Sequence, residues 1–235
     1  YNGNSDISFN FINKIYDNKK NLFIFRINNN GMGSAHNFIV NNKNLNRYHL
    51  LINPDVIINR ITIIEGIKKL NKDNNIVSVG PMIHDHNNVY WPSVKLIPDP
   101  LTQIIRRINP RSKRNKIYEL NGIKFKNDIS VPMIAGCYIL CRSTILKKIG
   151  GFDERFFLYM EDIDIIRRLS VYGKICYMPN TKIIHFNNLE SRRSIRMFVI
   201  HFISYIKYYN KWGWISDNFA KDINQKFLYY INSVK

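Results

Sequence analysis

"RFFLYMEDIDIIRRL", residues 155–169, sets the carboxylates of Glu161, Asp162 and Asp164 between an aromatic run and an apolar helical pattern. A helix starting near Asp162 aligns that residue with Ile165, Ile166 and Leu169, three, four and seven positions on, which is the core-facing stripe. Asp164 instead meets Arg167 and Arg168 at i+3 and i+4, the arrangement of a surface ion pair contributing roughly a few tenths of a kcal/mol. The two aspartates are therefore expected to differ in task, Asp164 being paired and Asp162 being placed to accept a proton from a hydroxyl. Burial would raise the pKa of a carboxyl there, and the helix dipole would lower it. Glu161 and Asp162 also read as ordinary N-terminal helix carboxylates.

Outward from this stretch, short apolar runs alternate with helical spacing. Residues 21–27, 48–53, 75–80, 134–141, 174–179 and 182–186 read as strands, while 61–70 and 163–173 read as helices, the second stopped by Gly173. This alternation predicts an α/β fold with a mostly parallel sheet flanked by helices. Residues 81–130 hold five of the eight prolines and the cluster "RRINPRSKRNK" (106–116), and read as a long, partly mobile insertion. From Ile195 the spacing is amphipathic and helical, with Ile195, Phe198, Val199, Phe202, Tyr205, Ile206 and Tyr209 on one stripe. That pattern fits a helix packed on the domain and equally an interfacial membrane helix. The expected organisation is a domain over 1–190 followed by a basic, aromatic helical extension over 191–235.

With 45% hydrophobic residues in 235, the chain can bury a substantial core and is not a disordered segment. Lys and Arg number 35 against 17 Asp and Glu, a formal net charge of +18 that predicts an anionic partner: nucleic acid, an acidic membrane or a phosphorylated small molecule. No nucleic-acid-binding motif accompanies the charge, so no nucleic acid partner is expected. Cys137, Cys141 and Cys176 are odd in number and lack C-x-x-C spacing, which points to a reducing, cytoplasmic compartment. Neither a spanning helix nor an export signal is expected.

Ligand-type residues follow several of the strands. Asn53, Pro54 and Asp55 come directly after one, where a carboxylate is well placed to hold a divalent cation, although N-P-D is also a common turn. His185 ends another, with Arg192 and Arg193 beyond it to neutralise phosphate. "NNNGMGSAHN" (28–37) offers glycines for close backbone approach without completing a dinucleotide fingerprint. "HDH" (84–86) has ligand-type residues in the irregular insertion.

Taken in order, "YNGNSD", "NNNGMGSAHN", "LLINPD", "IAGCYILCRS", "GGFDERFFLYMEDIDIIRRL" and "IIHF" resemble the family 2 glycosyltransferases of the GT-A fold, and most of all the bacterial rhamnosyltransferases that build O-antigen and related surface polysaccharides. The resemblance implies a Rossmann-like sheet and an inverting transfer of L-rhamnose from dTDP-rhamnose to a polyprenyl-diphosphate-linked glycan. It implies Asp162 as catalytic base with Glu161 its neighbour. Asp55, with Asn53 in the place of the first acid of a D-x-D, and His185 would serve a divalent metal, Mg or Mn, and the diphosphate. Asp6, Asn30, Gly31 and Asn37 would line the donor pocket, and Gly136 and Cys137 would form a small-residue turn beside donor and acceptor. The implied location is the cytoplasmic face of the bacterial cell membrane, held peripherally. The family begins with a strand and nucleotide-base loop ahead of the stretch where this chain opens at Tyr1, so one strand-loop-helix unit is expected to be missing. A truncated, non-catalytic remnant is the alternative expectation.

Overall fold

The structure, a computed structural model, describes residues 21–42, 45–186 and 194–233, together with Asn10, Phe11 and Lys14. The first half runs α1 (Met32–Asn42), β1 (Tyr48–Ile52), β2 (Val56–Ile58), α2 (Arg60–Lys72), β3 (Ile76–His84), β4 (Tyr90–Trp91) and β5 (Val94–Lys95). Then come α3 (Pro100–Ile108), α4 (Lys113–Tyr118), β6 (Ile129–Ser130), β7 (Met133–Ile134), β8 (Tyr138–Arg142) and α5 (Ser143–Lys148). The last part holds α6 (Glu161–Ser170), β9 (Lys174–His185), α7 (Ile195–Trp212) and α8 (Asn218–Ser233).

The main sheet has the order β1-β8-β3-β9-β2, with β4 added to β3 and β6 to β9. The α/β architecture agrees with the expectation, but the mostly parallel sheet does not. Among the described strands only β3 and β9 pair in parallel; the other pairings are antiparallel. The ladders show why. Strands β1, β3 and β9 do run the same way, as strand-helix alternation requires, but β8 threads between β1 and β3 in the opposite direction. Apolar run lengths carry no information about strand direction.

Side chains alternate across this sheet and feed two apolar clusters. Tyr138 and Leu140 of β8 and Cys176 and Met178 of β9 face one cluster, which includes Leu70 of α2. Ile139 and Cys141, with Ile175 and Tyr177, face the other, where Ile165, Ile166 and Leu169 of α6 meet Tyr205, Tyr208 and Tyr209 of α7. Gly66 lets α2 come close, because a Cβ there would meet Leu140 and Val79.

Other expectations are corrected. Residues 22–29 form no strand, since an extended apolar run becomes one only where a neighbour completes its ladder. The two runs within 174–186 fuse into β9, and the run at 134–141 divides between β7 and β8. Residues 81–130 hold α3, α4 and four short strand segments instead of a long loop. Gly173 does not stop α6, which ends at Ser170; its missing Cβ leaves room for the Asn75 carbonyl and Val77.

The largest correction concerns Asp164. It is fully buried, not at the surface, and accepts hydrogen bonds from Arg168 Nε (2.7 Å), Lys211 Nζ (2.6 Å) and Trp212 Nε1 (2.8 Å). Arg168 also donates to the carbonyls of Ile149 and Gly151, and buried Arg167 makes a two-pronged pair with Asp217 at the start of α8. Helix periodicity within 161–170 correctly pairs Asp164 with Arg168, but cannot see α7 arriving to cover that face. Removing one member of a buried ion network strands the others without partners and costs about 3–5 kcal/mol, against a few tenths at the surface. Asp164→Ala is therefore expected to lower the unfolding free energy by about 3–5 kcal/mol in urea titrations; a loss below about 1 kcal/mol would show that the network contributes little.

Candidate active site

The turn that follows β1 brings the first site residues together. Ile52 pairs with Tyr138, and the Asn53 N–H donates to the Cys137 carbonyl at 3.0 Å, so the Asn53–Asp55 turn lies against the Gly136–Cys137 turn. The chain then enters β2, where Val56 pairs with His185 and the Phe186 N–H donates to the Asp55 carbonyl. Asp55 and His185, 130 positions apart in sequence, thus meet with Nε2 at 3.2 Å from Oδ1. That oxygen is buried and has no hydrogen-bond partner among the described residues.

The acid pair enters from the other side. Tyr159 (φ 69°) and Met160 (φ 66°) are consecutive left-handed residues immediately before α6, a conformation that non-glycine side chains adopt only under constraint. The constraint is visible: Ser204 Oγ donates to the Leu158 carbonyl, Lys207 Nζ donates to that of Arg155, and His201 packs edge-on against Tyr159 with centroids 4.9 Å apart. On the other flank the Met32 N–H donates to the Phe157 carbonyl, and Gly31 (φ 107°) is so close to the Phe157 backbone that a Cβ would collide with it.

The turn delivers Glu161 into the interior and Asp162 to a half-buried place beside Gly136. A Cβ on Gly136 would overlap the Asp162 side chain, whose Oδ1 also accepts the Ile163 N–H at 2.8 Å. Partial burial was expected of Asp162 and is found; Asp164, expected at the surface, is the fully buried one. Cys137 joins the two halves, for the charges of both Asp162 and Asp55 act on its thiol. Burial pushes that thiol up to about 12, so Cys137 is a packing residue and not a thiolate.

Other expected residues fall elsewhere. Asn30 is exposed on the loop ahead of α1. Asn37 is buried with its amide fully engaged: it accepts from the Phe152 N–H and donates to the Phe152 carbonyl and Glu154 Oε1, clasping the turn at 151–154. Its position makes it an anchor for that turn. In the "HDH" stretch, Asp85 accepts the N–H groups of Asn87 and Val89 and shapes a turn. Asp6, Arg192 and Arg193 lie outside the described residues. Lys95, which no motif marks, stands within electrostatic range of Asp162 and Glu119; burial, aided by Arg106, brings its ammonium down to about 8.

The architecture agrees with the structural comparisons. The mannosyltransferase PcManGT from Pyrobaculum calidifontis, solved with GDP-Man and Mn2+, superposes with TM-score 0.52 at 13% identity over 98% of this chain and 64% of that one. The chain has the GT-A fold. In sequence it is similar to the N-acetylglucosaminyl-diphospho-decaprenol L-rhamnosyltransferase of Mycobacterium tuberculosis, 28% identical over 113 residues, 46% of this chain and 36% of that protein. It is likewise similar to the rhamnosyltransferase WbbL of Escherichia coli, 28% identical over 151 residues, 62% of this chain and 54% of that protein. The chain thus spans about a third to a half of the length of these curated relatives. No protein-family model matches it.

Within the GT-A frame, the donor set suits a hard divalent cation. Asp55 Oδ1, which accepts no hydrogen bond among the described residues and lies 3.2 Å from His185 Nε2, offers an oxygen donor, and His185 adds a nitrogen. No group of three or more His, Cys, Asp or Glu side chains gathers among the described residues, so water and a ligand's phosphates would complete the shell.

Glu161 differs in kind from its neighbour. Burial, with the adjacent Asp162 charge as the second cause, raises its pKa to about 8, and its Oε2 has no hydrogen-bond partner among the described residues. A neutral carboxyl is the less costly form in such a place. Because the folded pKa lies above the unfolded one, the folded chain holds this proton more tightly, and stability falls as pH rises from about 5 to about 8. Glu161→Gln is expected to gain on the wild type in unfolding free energy across that interval, with the difference levelling off below it. Urea titrations at a series of pH values measure this, and a difference independent of pH would exclude a protonated Glu161.

Proposed function

We propose that this chain is the GT-A portion of an inverting hexosyltransferase that moves L-rhamnose from dTDP-rhamnose to a polyprenyl-diphosphate-linked glycan in cell-surface polysaccharide synthesis, O-antigen among them. The observation that carries the reading is the meeting of Asp162, held against Gly136, with the Asp55–His185 pair across the Cys137 turn. An inverting transfer needs a base for the acceptor hydroxyl on one side of the sugar and charge compensation for the departing nucleoside diphosphate on the other. The relatives' printed names supply the sugar and the lipid-linked acceptor, and PcManGT's supplies the nucleotide-sugar donor.

Asp162 is the base. Its Oδ1 accepts the Ile163 N–H, and its Oδ2 lies against the Gly136 backbone, an approach that only a residue without a Cβ permits. Glu161, whose burial favours the neutral form, adds little competing charge to the acceptor site. Asp55 and His185 would hold the divalent metal, Mg or Mn, which supplies Lewis acidity toward the diphosphate when bound. Lys95 adds positive potential on the Asp162 side, and the Asn30–Gly31 backbone borders the donor. Placement at the cytoplasmic face of the membrane, with the membrane surface as partner, follows from a lipid-linked acceptor and a chain of net charge +18.

Asp162→Asn keeps the size of the side chain and removes the base. Turnover is expected to fall by about 10²–10⁴-fold while dTDP-sugar affinity by calorimetry stays near wild type; undiminished turnover would sink the assignment. Gly136→Ala would drive a Cβ into that of Asp162 and force the side chain aside, at a position whose φ is outside the left-handed region. A displaced base is expected to lower kcat by about 10²-fold, with KM for the donor moving much less. A purely packing role for Gly136 would instead lower thermal stability and leave the kcat of the folded fraction intact.

A further inference from the structure

Helix α3 is inside out. Its buried residues are polar, Thr102 (4% exposed) and Gln103 (6%), whereas Leu101 (51%), Ile104 (47%) and Ile108 (79%) face outward. Polar contacts hold the inner side: Thr102 Oγ1 donates to Asp99 Oδ2 and accepts from Arg114 Nε, while Tyr205 Oη donates to the Pro100 carbonyl at the helix start. An amphipathic helix in water turns its apolar stripe to the core. Here that stripe points away from it.

The same holds for the first half of α7. The stripe expected from sequence divides, with Tyr205 and Tyr209 buried while Ile195, Val199 and Phe202 stay exposed. Arg107 of α3 lies over the Phe198 ring of α7 at 4.2 Å, which sets the two helices side by side. Adjacent to them, Arg111, Lys113 and Lys116 in and before α4, and Arg196 on α7, are exposed cations. A wide apolar face bordered by exposed cations is complementary to one kind of surface, an anionic bilayer, which takes up apolar side chains below its headgroups and attracts basic ones at them. No described helix is long and apolar enough to cross a membrane.

We propose that α3 and the N-terminal half of α7 together form a docking face that lies on an anionic lipid surface. This deepens the membrane partner proposed above and rests on that reading for its purpose. It places the contact on a composite of the 81–130 segment and α7, not on the C-terminal extension alone. The inner side of α7 carries His201, Ser204 and Lys207, which brace the turn before the acid pair, so one helix would face lipid and the catalytic turn at once.

The test is co-sedimentation of the full chain with phosphatidylethanolamine vesicles with and without phosphatidylglycerol. The wild type is expected to partition onto the phosphatidylglycerol vesicles and to be released in part by salt. Ile104→Glu combined with Ile108→Glu, both at exposed positions, should weaken that partition by about tenfold or more with an unchanged circular dichroism spectrum. Equal partition of variant and wild type would overturn the proposal. So would a wild type that ignores lipid and forms a dimer which the double variant dissolves, the signature of a second copy covering the face. Failure of the transferase reading appears separately, as no wild-type turnover of a dTDP-sugar on a water-soluble acceptor, and leaves the partition experiment intact.

Discussion

A carboxylate without exposed surface, Asp164, gathers Arg168, Lys211 and Trp212, and the placement of the acid pair depends on that gathering. In a water-poor interior each of these groups needs the others, because none has solvent to fall back on. The network locks the second turn of α6 to the last turn of α7. Lys211 reaches Asp153 as well, whose carboxyl is held far below the usual range by Arg155 first and Lys211 next. The loop from 153 to 160 is thereby caught between two helices that cannot move independently, and the left-handed pair Tyr159–Met160 persists because its surroundings over-determine it.

Two carboxylates adjacent in sequence come out of that turn into different dielectric worlds. Glu161 is buried, which pushes its carboxyl towards the neutral form; Asp162 is half-buried and packed against the Gly136 backbone. Close neighbours of like charge resist joint ionisation, which adds to the burial that favours a neutral Glu161. Lys95 and the Asp55–His185 pair complete a site in which opposite charges flank a small-residue turn.

Much of this was legible in short motifs at strand ends. N-P-D after an apolar run, a histidine closing another and glycine in A-G-C each mark a place where the chain turns at the sheet edge, and the fold brings those turns together. What i+3 and i+4 arithmetic could not supply was the environment of a helix face. It assigned Asp164 to water because the covering residues, Lys211 and Trp212, lie more than forty positions away. Strand direction was equally hidden, and so was Lys95, which lies in the two-residue strand β5, too short to show any periodicity. Asn37 was misread for a related reason: an asparagine in a glycine-rich loop looks ligand-facing until the turn it clasps, more than a hundred residues later, is in view.

The reversed strand β8 also has a consequence for how the chain acquires its structure. β1, completed by residue 52, finds its ladder partner only at residues 138–142, and the same strand fills the gap between β1 and β3. Until that segment has been synthesised, β1 lacks this neighbour and one edge of β3 stays open. Closing a loop of this length before any ladder bond rewards it is slow, and open edges are where chains pair wrongly. The vulnerable interval for this protein therefore opens when β3 is made and closes only when β8 and then β9 have covered its two edges, and a chaperone that shields strand edges would do the most good in that time.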